Sequence, residues 1–185
     1  MDYSIFQLIN QFTDSSGVLD NLMIGLAKYG VLLMALPLMV LWFWGKDGDH
    51  ARKAALLSLF SMAVALLINQ VIGHLYFRPR PFAAHEVNLL MEKSTDPSFP
   101  SDHSAFVFAI AWLIVFKGRR IGALALAIAV LVGISRIFVG THYPGDVVGG
   151  MIIGLVSALL VWKARTLLDP VTSFIIGVAR KLGLA

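Results

Sequence analysis

Five long apolar segments constrain this chain more than any other feature of its sequence. A helix needs about 20 mostly apolar residues to cross the hydrocarbon core of a bilayer. Segments of about that length lie at roughly 22–44, 54–77, 102–117, 121–139 and 145–163. Only 14% of the residues are charged and 58% are hydrophobic, whereas a soluble domain carries about 25% charged residues. We therefore expect an all-α integral membrane protein, a bundle of about five transmembrane helices, with Pro37 as a candidate kink in the first.

Shorter amphipathic stretches flank the apolar segments. Residues 3–12 carry apolar side chains at helical spacing, and residues 170–184 combine an apolar face with Arg180 and Lys181. We expect a short amphipathic helix at each end of the bundle. The length of 185 residues suits one membrane-embedded domain over residues 1–185. The N-terminus lacks the positive flank of a signal peptide, so we expect no cleavage.

Lysine and arginine residues are distributed unevenly between the loops, and cytoplasmic loops are the ones that retain them. With five spans, loops 45–53 and 117–120 share a side with the C-terminal end, and these regions hold ten cations. The other side, formed by residues 1–21 and loops 78–101 and 140–144 with the adjoining helix end, holds four. The bias places the N-terminus and these two loops outside. The net charge of +4 lies between apolar segments, which favours a membrane partner over nucleic acid.

The two loops expected outside contain nearly every unusual polar residue of the chain. Arginine matches phosphate oxygens in a bidentate manner, and a helix N-terminus presents free backbone N–H groups to anions. Two histidines beside such a site can act as nucleophile and as general acid or base. For Arg136 alone, the alternative is a side chain that snorkels to the membrane interface. Because the topology brings the loops to one face, we expect a phosphate site formed by Arg80, Ser101, His103, Arg136, His142 and Asp146.

Several of these residues also have a purely structural interpretation. Ser101 is a natural N-cap for the third apolar segment, and Asp102 is favourable in its first turn. Neither argument explains His103. His142 lies four residues before Asp146, which suits a loop histidine near a helix-start aspartate. It equally suits a carboxylate that holds the imidazole by one nitrogen and leaves the other free to react.

The spacing of these residues resembles two motifs of the type 2 phosphatidic acid phosphatase superfamily. The third motif of that family reads Ser-Arg, five residues, His, three residues, Asp. It is matched by Ser135, Arg136, His142 and Asp146. The second motif is usually Pro-Ser-Gly-His and is matched by "PSDH" at 100–103, with aspartate in place of glycine.

The first motif of the family is incomplete in this chain. It usually reads Lys, six residues, Arg-Pro. If it ends at Arg80, Gly73 stands where the lysine should be, and if it ends at Arg78, Val71 stands there. We expect Arg78 to replace that lysine in part as a phosphate ligand.

The chain as a whole, from "MDYSIFQLIN" through "YFRPRPF" to "HYPGDVVGG", resembles the bacitracin-resistance branch of this superfamily over roughly residues 1–165. Members of that branch are bacterial undecaprenyl-diphosphate phosphatases. The resemblance implies hydrolysis of an isoprenoid lipid diphosphate at the outer face of the cytoplasmic membrane, which recycles the carrier lipid for peptidoglycan synthesis.

The resemblance also implies a role for each residue of the site. His142 matches the nucleophile that forms a phosphohistidine, and Asp146 matches the carboxylate that orients it. His103 matches the general acid that later activates water. The phosphate ligands of the family are matched by Arg80, Ser101 and Arg136. Neither a metal nor another cofactor is implied.

Other functions stay open on the sequence alone. The same site could act on phosphatidylglycerophosphate or phosphatidate. A non-enzymatic anion pathway could be lined by Arg80 and Arg136, although a pore needs no oriented nucleophile. A metal hydrolase could use Asp102, Asp146 and the two histidines, and activity that resists chelators would exclude it.

Overall fold

The computed structural model describes residues 1–185 apart from the side chain of Arg119. Regular secondary structure in this described chain is helical throughout, which confirms the predicted all-α class. A 3₁₀ segment, Gly30–Met34, joins α2 to α3. The α-helices are α1 (Asp2–Asn10), α2 (Gly17–Tyr29), α3 (Ala35–Trp44), α4 (Asp49–Leu75), α5 (Pro81–Ala84), α6 (Asp102–Lys117), α7 (Arg119–Phe138), α8 (Pro144–Lys163) and α9 (Arg165–Lys181).

Four of the described helical stretches are long and apolar enough to cross a membrane: Gly17–Trp44, Asp49–Leu75, Arg120–Phe138 and Pro144–Lys163. They correspond to four of the five predicted segments. Many large apolar side chains on the outside of the bundle are exposed, as a lipid-facing surface requires. The chain is therefore a multi-pass membrane protein.

The remaining predicted segment is α6, which has 16 residues. At 1.5 Å per residue it is about 24 Å long, shorter than the roughly 30 Å hydrocarbon core. It lies in the centre of the bundle, packed against α4, α7 and α8, and side chains all around it are buried. A helix that is apolar on every face belongs in such a position.

The beginning of α6 lies close to the beginning of α8, which brings the second and third motifs together. Gly150 makes this approach possible, since a Cβ there would lie 2.7 Å from the carbonyl oxygen of Ser101. Small residues permit close helix contact in membranes in this way. The backbone N–H of Ser101 also donates to the carbonyl oxygen of Asp146 at 3.1 Å.

The first spanning stretch is interrupted by the 3₁₀ segment Gly30–Met34 and not at Pro37 itself. A proline ring clashes with the carbonyl group four residues earlier and offers no N–H to it. For Pro37 that carbonyl belongs to Leu33, inside the 3₁₀ segment. A kink at Pro37 stays a prediction, and the irregularity in this stretch is the 3₁₀ segment that ends three residues before the proline.

The two amphipathic helices are present at the ends of the chain. The first, α1, packs against α7 and α8. The last, α9, begins at Arg165, earlier than the predicted residues 170–184, and packs mainly against α4. Ion pairs between Lys53 and Asp169 and between Arg180 and Asp49 join α9 to α4.

Candidate active site

A cavity of about 480 Å³ lies where α6 and α8 begin and α7 ends. Four of the residues predicted for the site line it: Arg80, His103, Arg136 and His142. They come from the segment after α4, from α6, from α7 and from the loop between α7 and α8. The fold therefore brings residues up to 62 positions apart in the chain to one cavity.

His142 is buried, with 2% of its surface exposed, and its ring is held at both nitrogens. Nδ1 lies 2.8 Å from the backbone carbonyl oxygen of Ser98. A carbonyl oxygen only accepts, so we assign the proton to Nδ1 and the lone pair to Nε2. Nε2 lies 3.3 Å from Nη1 of Arg80. Burial, with help from the nearby arginines, lowers the pKa of His142 and favours this neutral tautomer.

Asp146 supports His142 from behind at ion-pair distance, with Oδ2 3.7 Å from Nδ1. That distance is longer than a hydrogen bond, so the Nδ1–H group, which was expected to donate to Asp146, donates to the carbonyl oxygen of Ser98 instead. Oδ2 accepts from Ser98 Oγ at 2.5 Å and from the backbone N–H of Tyr143 at 2.8 Å. Oδ1 accepts from Nη1 of Arg78 at 2.7 Å. Ser98 thus binds both His142 and Asp146.

Two residues predicted as phosphate ligands, Ser101 and Arg78, lie behind the cavity wall. Ser101 is fully buried, and its Oγ accepts the backbone N–H of Ser104 at 3.4 Å as the N-cap of α6. Arg78 donates to Asp2 at 2.6 Å and to Asp146, and its guanidinium lies 4.1 Å from the centre of the Tyr143 ring. Arg78 therefore positions Asp146 in this structure, and phosphate binding by either residue stays a prediction.

The two cavity-lining arginines retain donors for a ligand. Arg136 is 6% exposed and donates through Nη1 to the carbonyl oxygen of Ala27 at 3.1 Å. Its buried Nε has no partner among the described residues. Arg80 donates to the carbonyl oxygens of Asp96 and Thr141, at 3.0 and 3.4 Å. Buried donors that lack a partner are costly unless a ligand accepts from them, and phosphate oxygens are suitable acceptors.

The first turn of α6 completes the cavity. His103 lines it one residue after Asp102, whose Oδ1 accepts from Nδ2 of Asn69 at 2.5 Å. Asn69 also donates to the carbonyl oxygen of Pro100 at 3.1 Å, so α4 fixes the start of α6. The positive end of the α6 dipole favours an anion here.

The chemistry that this arrangement permits follows from its two arginines and from the neutral imidazole of His142. Two guanidinium groups and a helix N-terminus attract a phosphate group, and a neutral imidazole with its lone pair toward the cavity can attack phosphorus. A second histidine can move a proton. The fold and the site together define a membrane-embedded phosphoryl-transfer enzyme.

Comparison with known proteins gives the same class. Residues 54–170 match the model of the PAP2 superfamily. The chain is 35% identical to the undecaprenyl-diphosphatase BcrC of Bacillus subtilis (strain 168) over 176 residues, 95% of this chain and 90% of that protein. Its fold is similar to a crystal structure of LpxE from Aquifex aeolicus, with a TM-score of 0.73 and 26% identity, covering 88% of this chain and 94% of that one. It is also similar to the crystal structure of a PAP2-type phosphatidylglycerolphosphate phosphatase from Bacillus subtilis, with a TM-score of 0.63 and 28% identity, covering 88% and 83%. The chain therefore belongs to the PAP2 superfamily and is a lipid diphosphate phosphatase.

Proposed function

We propose that this protein, as a single membrane-embedded domain of residues 1–185, hydrolyses undecaprenyl diphosphate to undecaprenyl phosphate and inorganic phosphate. The observation that carries the proposal is the state of His142. Its Nδ1 donates to the carbonyl oxygen of Ser98, so Nε2 carries the lone pair on the cavity side, where Arg80 Nη1 lies 3.3 Å away. The similarity to BcrC over 95% of the chain supports the choice of lipid.

In the first step the terminal phosphate of the lipid diphosphate binds to Arg80 and Arg136. The lone pair of His142 Nε2 attacks phosphorus, and the bond from phosphorus to the bridging oxygen breaks. His103 gives its proton to that oxygen, which leaves on the lipid monophosphate. The phosphorylated ring is cationic and is stabilised by the Asp146 carboxylate 3.7 Å from Nδ1.

In the second step water cleaves the phosphohistidine. His103, now neutral, accepts a proton from the water as its oxygen attacks phosphorus. The phosphorus–nitrogen bond breaks, its electron pair returns to Nε2, and inorganic phosphate leaves. Both histidines are then in their starting protonation states.

We also place the site at the outer face of the cytoplasmic membrane, where it would return the carrier lipid to cell-wall synthesis. The support is the excess of ten cations over four on the opposite side. Reporter domains fused after Lys46 or after Lys117 should lie in the cytoplasm. A reporter outside the cell at either position would contradict the orientation.

The substrate assignment is tested by phosphate release from purified protein in the presence of a chelator. The panel contains undecaprenyl diphosphate, phosphatidylglycerophosphate and phosphatidate, with the His142→Ala protein as the blank. We expect the highest kcat/KM for the isoprenoid diphosphate. A higher value for phosphatidylglycerophosphate would reassign the substrate, and loss of all activity in chelator would favour a metal hydrolase.

A further inference from the structure

The incomplete first motif leaves the catalytic cavity without the cation that its lysine would supply, and Arg78, expected to replace that lysine in part, does not supply it either. Gly73 lies in α4 beside a second cavity of about 360 Å³, and Asp96 and Asp102 line both that cavity and the catalytic one. Arg78 is bound to Asp2 and Asp146 and does not line the catalytic cavity. A diphosphate carries more negative charge than one phosphate group, so a further cation is expected elsewhere.

Lys28 is the lysine in the wall of the catalytic cavity, which it lines together with His103 and His142. It belongs to the spanning stretch Gly17–Trp44. Lys28 is exposed in the last turn of α2, at the end of that helix which faces the cavity, so its ammonium group is open to an anionic ligand there. Among the described side chains Lys28 makes no ion pair, whereas Lys53 is paired at 2.6 Å.

The backbone around Lys28 is fixed against the helix that carries Arg136. The carbonyl oxygen of Ala27 accepts from Nη1 of Arg136 at 3.1 Å. Gly30 packs so closely on Val132, one turn before Arg136, that a Cβ there would lie 2.6 Å from Val132 Cγ2. Irregular backbone at membrane depth is tolerated where it lines a cavity, and the 3₁₀ segment begins at Gly30. These contacts hold Lys28 beside the Arg136 side of the cavity.

We propose that Lys28 binds the lipid-linked phosphate of a lipid diphosphate and makes the enzyme selective for diphosphates over monophosphates. The proposal rests on the proposed function of the site. Arg80, Arg136 and His142 surround the phosphate that is transferred. Lys28, on the α2 wall, supplies the charge for the phosphate that leaves with the lipid. It takes over the charge that the incomplete first motif lacks, from a different helix.

The first test compares kcat/KM for undecaprenyl diphosphate and undecaprenyl phosphate in Lys28→Met, which removes the charge and keeps an unbranched side chain. Loss of a charged hydrogen bond predicts a fall of roughly tenfold to hundredfold for the diphosphate, with less than about threefold for the monophosphate. Lys28→Arg should recover most of the diphosphate activity. Lys93→Met is the matched control, because Lys93 is exposed in a neighbouring loop and does not line the cavity. Equal losses on both substrates, or no loss, would overturn the proposal.

A second measurement is independent of catalysis. Titration calorimetry of the detergent-solubilised protein with inorganic pyrophosphate and with inorganic phosphate should show that Lys28→Met weakens pyrophosphate binding by roughly tenfold or more and leaves phosphate binding unchanged. Equal affinity of wild type and variant for pyrophosphate would overturn the role of Lys28. If the wild-type protein releases no phosphate from lipid diphosphates, the proposed function fails, and the pyrophosphate titration still decides the role of Lys28.

Discussion

The two ends of the bundle carry charges of the same kind in different surroundings. At the end that holds the catalytic cavity, here called the site end, Asp146 is fully buried and accepts from three donors. At the opposite end, here called the basic end, Lys53 pairs with Asp169 and Lys117 pairs with Asp47, each at 2.6 Å. The carboxylates of these two pairs are 57% and 62% exposed.

The difference teaches which charges are tied to function. A buried carboxylate is stable only when its oxygens are bound, so the contacts of Asp146 with Arg78 and Ser98 fix its place behind His142. Exposed ion pairs are screened by water and contribute little. Substitutions at the site end should therefore change the chemistry, and substitutions at the basic end should not.

The largest effect is expected for the nucleophile. His142→Ala removes the proposed nucleophile, and turnover should fall by roughly 10⁴-fold or more. His50→Ala is the matched control, since His50 is an exposed histidine at the basic end. Phosphate release measures both. Retention of a tenth of the activity by His142→Ala, or an equal loss in His50→Ala, would remove the distinction between the two ends.

A smaller effect is expected for Ser98, a buried serine whose hydroxyl is hydrogen-bonded to Asp146. Ser98→Ala removes the hydroxyl that donates to Asp146 and leaves the carbonyl that accepts from His142. The loss of a hydrogen bond to a charged group predicts a fall in kcat of roughly tenfold to hundredfold with little change in KM. Ser157→Ala is the control, because Ser157 is equally buried and its Oγ lacks a partner among the described residues. Similar kcat values for the two variants would show that Ser98 has no part in positioning.

The pH profile tests the environment of His142 further. The proposed mechanism requires the neutral His142 ring, and burial lowers the pKa of His142, so the ring stays neutral to a lower pH than an exposed histidine. The acid limb of kcat/KM should therefore lie below about pH 6.5, the ordinary histidine value. The proton that His103 donates in the proposed mechanism should add an alkaline limb and make the profile bell-shaped, with limbs that belong to the coupled pair. A rate that rises steadily into strong alkali would favour a metal-bound hydroxide instead.

The smallest effect is expected at the basic end. Lys53→Met removes the exposed pair with Asp169, and the free energy of unfolding should change by less than about 1 kcal/mol. Denaturation in detergent measures that change, and kcat/KM should stay within about twofold of the wild-type value. A loss of activity of tenfold would show that the two ends are coupled.

Much of the fold could be predicted because lipid leaves the chain few choices. An apolar stretch of about 20 residues in a bilayer has to be a helix. The first residues of α6 and α8 follow from Ser101 as the N-cap of α6 and from Pro144 at the start of α8. The short helix α5 and the extension of α9 back to Arg165 carry no comparable signal. The 3₁₀ segment Gly30–Met34 ends before Pro37, and the proline alone did not indicate where the segment would begin.

The site was predictable where a motif spacing encodes it. The spacing identified His103, Arg136 and His142, and the structure brings them to one cavity. Contacts between distant positions left no such signal. Ser98 binds Asp146 across 48 residues and Arg78 binds Asp2 across 76, and a serine or an arginine in a polar loop has many equivalent partners in sequence.

The most direct test of the account is the identity of the phosphorylated residue. Lipid diphosphate with a labelled terminal phosphate is added to wild type, His142→Ala and His103→Ala, the reaction is quenched in alkali, and acid-labile, alkali-stable phosphate on the protein is measured. We expect label on His103→Ala. Without a general acid the lipid monophosphate still leaves slowly, so His142 is phosphorylated, and without a base to activate water the phosphohistidine then persists. We expect no label on His142→Ala. Label on His142→Ala and none on His103→Ala would show that the roles of the two histidines are reversed.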